Sequence, residues 1–145
     1  MNERQDMNRP VIEEFRSAGG RVGGYFEGMD LVLLHHVGAK SEAVYVSPLA
    51  RLDVDGGASW AIVASNGGRD THPAWYFNLQ ARPETSVEVP DGSGGVVTRK
   101  VRARVAGDAE RDELYAAVKA AMPQFAQYEA GTTRRIPVVV LEPVG

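Results

Sequence analysis

The chain has 145 residues, a formal net charge of −3 and no cysteine. Its length suits one domain with a sizeable core, and the missing cysteines exclude disulfides, thiolate metal sites and cysteine nucleophiles. Hydrophobic residues make up 43% and charged residues 24%, and the slightly acidic balance gives no electrostatic basis for binding nucleic acid or an anionic membrane.

The opening MNERQDMNRP lacks the apolar core of a signal peptide, and the longest apolar run, LVLLHHV, is too short to span a bilayer. A cytoplasmic protein is expected. Residues 1–7 are polar and expected to be disordered, leaving a single domain over 8–145. Asn8 is a candidate N-cap, with Pro10 in the first turn. Val11, Ile12, Phe15 and Ala18 then share one helical face, and Gly19-Gly20 stop the helix.

The run at 31–37 is continuous rather than alternating, which predicts a strand buried on both faces. Gly38 opens a polar loop, and 44–52 reads as a second strand. Asp55-Gly56-Gly57 is a hairpin turn signal leading into a return strand over 59–65. A glycine-bearing loop at 66–70 precedes a helix over 72–81, with Thr71 as N-cap and His72-Pro73 orienting its start. Trp75, Tyr76 and Leu79 form its apolar face.

A strand over 86–89 and a turn at 91–95 follow. The next strand alternates, with Val97, Val101, Ala103 and Val105 on one face and Thr98, Lys100, Arg102 and Arg104 on the other. Arg99 breaks the pattern. Asp108 is placed to cap a long helix whose stripe is Leu114, Val118, Ala121 and Met122. Pro123 interrupts it, and 124–130 resumes as a short helix. IPVVVL at 136–141 predicts a last, doubly buried strand, preceded by Arg134-Arg135 as a surface pair. About six strands with helices between them imply a small antiparallel barrel with helices packed outside.

His35 and His36 are neighbours in a strand, so their side chains point to opposite faces and cannot share a metal; both read as structural. There is no G-x-S-x-G nucleophile elbow.

Three strings, GGRVGGYFEGMDLVLLHHVGAKS, ASNGGRDTHPAWYFNL and TTRRIPVVVLEP, resemble the deazaflavin-dependent nitroreductase family over roughly residues 8–143. The resemblance implies a mainly β (α+β) fold: a split β-barrel of the FMN-binding type with flanking helices. It implies hydride transfer from the reduced deazaflavin F420 to an electron-poor small molecule (a quinone, enone or nitro compound), by a monomer or homodimer with no metal. The cofactor-binding positions it implies are Lys40, Ser41, Pro48, Leu49, Ala64, Ser65, Asn66, Gly67, Gly68 and Trp75. The substrate pocket would be formed by Ala50, Met122, Phe125 and Tyr128, with Ser65 and Tyr128 as the catalytic hydroxyls.

Relative to the family's usual phosphate loop, Ala39 and Tyr45 stand where arginines are common, Glu42 where glycine is, and Asn66 where a base is frequent. A hydrogen bond to a charged group contributes roughly 1.5–3 kcal/mol, so two or three such losses cost about 3–6 kcal/mol, on the order of 10²–10⁴-fold in affinity. Arg51 and Arg69 are the nearby candidates to compensate. An alternative reading therefore stands: a barrel that has lost F420 and acts as a cofactor-independent cyclase or isomerase, or binds a hydrophobic metabolite in secondary metabolism. Flavin mononucleotide or haem on the same barrel is a third option.

Overall fold

In a computed structural model, which describes residues 3–144, two strands separated by one residue lie at opposite ends of the same sheet. The strands are β1 (Leu31–Val37), β2 (Val44–Ala50), β3 (Leu52–Val54), β4 (Ser59–Val63), β5 (Glu84–Pro90), β6 (Val96–Val105) and β7 (Val138–Pro143). They pair antiparallel in the order β2-β1-β5-β6-β7-β4-β3. At Arg51 the chain leaves one edge and joins the other, so the sheet must curl round on itself. The expected single strand over 44–52 is thus two strands with different partners.

Arg51 pins that corner. Its N–H donates to the Asp30 carbonyl at 2.9 Å, its guanidinium donates to the Leu31 carbonyl, and its Nε lies 3.2 Å from Asp53. Arg51 is therefore committed to the seam and does not supply a loose positive charge to the loop after β1.

The helices are α1 (Glu3–Ser17), α2 (Ala74–Ala81), α3 (Asp108–Ala121) and α4 (Gln124–Ala130). Both continuous apolar strands are covered on two sides, as their sequences require. Val32 and Leu34 of β1 enter the barrel interior with Trp60, Ile62, Val87 and Val101, whereas Leu31 and Leu33 pack against Ile12 and Phe15 of α1. In β7, Val139 and Leu141 point inward, while Val138 and Val140 meet Tyr115, Val118 and Phe125 on the helical side. Glu88 ties α1 to the sheet: Arg16 grips it with two bonds of 2.8 and 2.7 Å, and His35 Nε2 adds a third at 2.7 Å. These contacts hold the Glu88 carboxyl below its ordinary range, Arg16 contributing most.

Several local expectations are corrected. α1 begins at Glu3, so the segment expected to be disordered is helical from there and Asn8 and Pro10 lie inside the helix; Met1 and Asn2 lie outside the described residues. Glu, Arg, Gln and Met are good helix formers, and they carry the helix past the capping signal. α2 starts at Ala74 with Pro73 as N-cap, and α3 follows Gly107, so neither Thr71 nor Asp108 caps. Asp108 and Glu110 instead lie in the first turn of α3, where the helix dipole favours them.

The buried stripe of α3 is Arg111, Tyr115 and Val118, with Leu114 and Met122 half-buried and Ala121 exposed. The polar ends of the first two are satisfied: Tyr115 donates to the Phe125 carbonyl at 2.8 Å, and Arg111 Nε to the Ile136 carbonyl at 2.8 Å. In β6, Val101 is buried but Val97 and Val105 are exposed, and Arg99 sits 6.0 Å over the Trp60 ring. Alternation sets which face a side chain takes, not how far the barrel's cover extends along the strand.

Candidate functional site

The turn after β1 is closed by its own backbone. Gly38 N–H donates to the Ala43 carbonyl at 2.8 Å, and Glu42 N–H donates to the Gly38 carbonyl at 3.1 Å. A Cβ on Gly38 would lie 2.3 Å from Ser41 Oγ, so a larger residue there would turn the Ser41 side chain out of its present position. Glu42 adopts a left-handed φ of 60°, a conformation natural to glycine and rare for a residue with a side chain. Its carboxylate is 3.3 Å from Arg82 and faces solvent. Ala39 N–H donates to Asn78 Oδ1 at 3.0 Å, fastening the loop to α2.

This loop, β2 and α2 enclose a cavity of about 580 Å³. Lys40 and Ser41 stand at its rim, and the rest is largely apolar, with Tyr45, Trp75 and Phe77 as the main surfaces. His36, opposite Tyr45 in the β1–β2 register, stacks on it at 5.5 Å. His36 Nε2 is 2.9 Å from Ser47 Oγ, and Nδ1 is 2.9 Å from Asn78 Nδ2. Burial, with a smaller contribution from His35, lowers the His36 pKa to about 4, so the ring is neutral at pH 7.

A second cavity of about 600 Å³ adjoins the first, and Ser47 and Trp75 line both. Its walls come from Pro48, Leu49 and Ala50 of β2, the 65–69 loop, and Phe125 and Tyr128 of α4. The Phe125 and Tyr128 rings meet edge to face at 5.1 Å. The two cavities, together called the cleft, thus share a wall at Ser47 and Trp75, with the lysine-bearing loop lining the first and Ser65 and Tyr128 among the residues lining the second.

Lys40, Ser41, Pro48, Leu49, Ala50, Ser65, Asn66, Gly67, Trp75, Phe125 and Tyr128 all line this cleft. Three expected residues do not. Ala64 is fully buried in the barrel core, and Met122 packs into the cluster beneath α3 and α4. Gly68 is wedged against α4, where a Cβ would lie 3.0 Å from the Tyr128 carbonyl oxygen and 3.1 Å from its Cα. Its φ of +84° also favours glycine. Gly68→Ala is expected to cost about 1–2 kcal/mol and to displace α4 outward. Chemical denaturation checks the first, and Tyr128 side-chain shifts in NMR the second; an unchanged midpoint and spectrum would refute both.

The 65–72 loop is held by a residue expected on the surface. Arg134 donates to the carbonyls of Arg69 at 2.9 Å, Ala64 at 3.1 Å and Ser65 at 2.9 Å, and to His72 Nδ1 at 2.9 Å. Burial, followed by the Arg134 charge, lowers the His72 pKa. Asn66 does not reach for a ligand, since its Nδ2 donates to the Thr71 carbonyl at 3.0 Å. Only Arg135 behaves as a surface charge, pairing with Asp112 at 2.7 Å.

His36, Ser47 and Asn78 line the cleft without having been expected there. The register that sets Tyr45, a position of the loop already singled out, opposite His36 would have found the first. Arg69, unlike Arg51, does reach the cleft: it lines the second cavity.

A curled antiparallel sheet flanked by helices, with its cavities between sheet and helices, defines an α+β split-barrel protein. The model of the F420H(2)-dependent quinone reductase family matches residues 7–143, and the chain belongs to that family. It is 33% identical over 129 residues to the F420H(2)-dependent quinone reductase Rv1261c of Mycobacterium tuberculosis, covering 88% of this chain and 83% of that protein. The structure of an F420-H2 dependent reductase, FDR-A, is similar with a TM-score of 0.65 and 38% identity, covering 77% of this chain and 93% of that one. A structure described as a domain-swapped dimer matches with a TM-score of 0.67 and 33% identity, covering 94% and 95% of the two chains.

Proposed function

We propose that this chain binds F420H2 along the two-chambered cleft and reduces a quinone in the second chamber. The observation that carries this reading is the pair of adjacent cavities that share Ser47 and Trp75, one of them lined by the Lys40 loop. A flat heterocycle bearing an anionic tail needs an apolar slot joined to a cationic, donor-bearing loop, and the chain supplies both. Lys40 and Ser41 would hold the tail, and Trp75 with Pro48 and Leu49 would flank the ring. F420H2, when bound, supplies the hydride.

The protein's own contribution is orientation and hydrogen bonding at the quinone oxygen. Phe125 with Pro48, Leu49 and Ala50 would give a quinone ring an apolar wall to lie against in the second chamber. Ser65 and Tyr128 carry the hydroxyls that can hydrogen-bond the carbonyl as it gains charge, and relay a solvent proton to it. The loop carries a single lysine, but Arg82 pairs with Glu42 at 3.3 Å. That pairing weakens the case for a barrel turned against the anionic cofactor. Family membership and the open cleft favour the reductase over the cofactor-free alternative.

The test is anaerobic mixing of the protein with F420H2 and a soluble naphthoquinone, following the return of oxidised F420 absorbance. Lys40→Ala is expected to raise the cofactor KM about tenfold with little change in kcat, the loss of one charge-assisted contact. The absence of F420H2 oxidation with every quinone tried would refute the reading.

A further inference from the structure

The boundary between the two chambers carries a polar side chain whose hydrogen-bonding role can be deduced one proton at a time. Ala39 N–H is a backbone donor and meets Asn78 Oδ1 at 3.0 Å, so the oxygen of that amide faces the loop. Its Nδ2, a donor only, therefore faces His36 Nδ1 at 2.9 Å. Nδ1 must accept, so the proton of the neutral ring is on Nε2. Nε2–H is then the donor to Ser47 Oγ at 2.9 Å. With one lone pair of Ser47 taken by this bond, its O–H is left to donate elsewhere. Ser47 lines both cavities.

We propose that the Ser47 hydroxyl is a fixed hydrogen-bond donor to an oxygen of bound F420 at the junction of the two chambers, with His36 and Asn78 as positioning residues. This rests on the reading of the cleft as the F420 site. The relay has a consequence for the loop that holds the cofactor tail. The same Asn78 amide fastens Ala39 in that loop and sets the proton of His36, so tail loop and junction are linked through one side chain. His36 and Asn78 are each less than a tenth exposed, so little of either side chain faces the cavity. Both act through Ser47 and Ala39.

The experiment is fluorescence titration of oxidised F420 into the native protein and into Ser47→Ala, Ser47→Thr and His36→Phe variants, with unfolding midpoints measured alongside. Ser47→Ala is expected to bind about five- to tenfold more weakly, the loss of one neutral hydrogen bond, and Ser47→Thr, which keeps the hydroxyl, within about twofold of native. His36→Phe is expected to weaken binding about threefold, and to have no further effect once Ser47 is alanine, because it acts through that residue. Independently of any cofactor, ¹⁵N NMR of the histidine ring should show His36 protonated at Nε2 near pH 7. A proton on Nδ1 reverses the relay and overturns the proposal, even if His36→Phe fails to fold. Native binding that Ser47→Ala leaves unchanged overturns the Ser47 assignment while the reductase reading stands. No binding by the native protein overturns both.

Discussion

Arg134→Ala is expected to lower the unfolding free energy by about 3 kcal/mol and to weaken F420 binding about a hundredfold. The four hydrogen bonds from this one guanidinium reach Ala64, Ser65, Arg69 and His72, which together bracket the loop carrying Ser65, Asn66 and Gly67. Ala64 and Ser65 are buried, so their carbonyls lose a charged donor without full access to water in exchange. Each such bond contributes roughly 1.5–3 kcal/mol when both partners are dry; Arg134 is half-buried, which reduces the sum. Arg134→Lys should recover little, because an ammonium cannot reproduce a planar fork that serves several acceptors. Guanidinium denaturation reads the stability, and hydrogen exchange should show faster opening confined to the loop after β4. A midpoint shift worth under about 0.5 kcal/mol would show that the loop holds itself.

The second large effect is a loss of stability on acidification, centred on His36. The folded-state pKa of about 4 lies below the ordinary value of about 6.5. Between those two values the unfolded chain binds a proton that the folded chain refuses, so stability falls as pH falls through this window. The contribution is fully present above about pH 6.5 and is lost by about pH 4, a change of about 3 kcal/mol. The cause is structural: the ring is 6% exposed, accepts at one nitrogen and donates at the other, and stacks on Tyr45. A second proton would leave it facing the Asn78 donor. Denaturation at pH 7.5 and pH 4.5 should show the loss in the native protein and a much shallower slope in His36→Phe. Some slope should remain, because the His72 pKa is lowered in the same direction. Below this window the protonation of Glu88, whose carboxyl is held low chiefly by Arg16, removes further stability. Equal slopes in native and variant would refute the role of His36.

Much of the framework was legible in the chain. LVLLHHV and the valines of IPVVVL have no polar alternation, which leaves a strand only one stable place, covered on both sides. The resemblance carried by the three strings implied the fold, the cofactor class and eleven of the residues that line the cleft. Three of the residues that were missed share one physical cause. Arg134 read as a surface residue, and Tyr115 and Arg111 were absent from the stripe predicted for α3, yet each is held at least partly inside by a bond to a carbonyl: Arg134 to those of Ala64, Ser65 and Arg69, Tyr115 to Phe125, and Arg111 to Ile136. Nothing near them in sequence announces those acceptors.

The sequence by itself determined where most of the strands lie and that two of them are covered on both faces, because these follow from short-range periodicity, and its three family strings determined the family to which the barrel belongs. Only the tertiary structure decided that Arg51 closes the barrel, that Arg134 holds the loop after β4, and that Asn78, His36 and Ser47 form one chain of donors and acceptors. Those roles depend on strand register and on closure of the sheet, which bring together groups as far apart as residues 36 and 78. A directional bond exists only once the fold has set both of its ends.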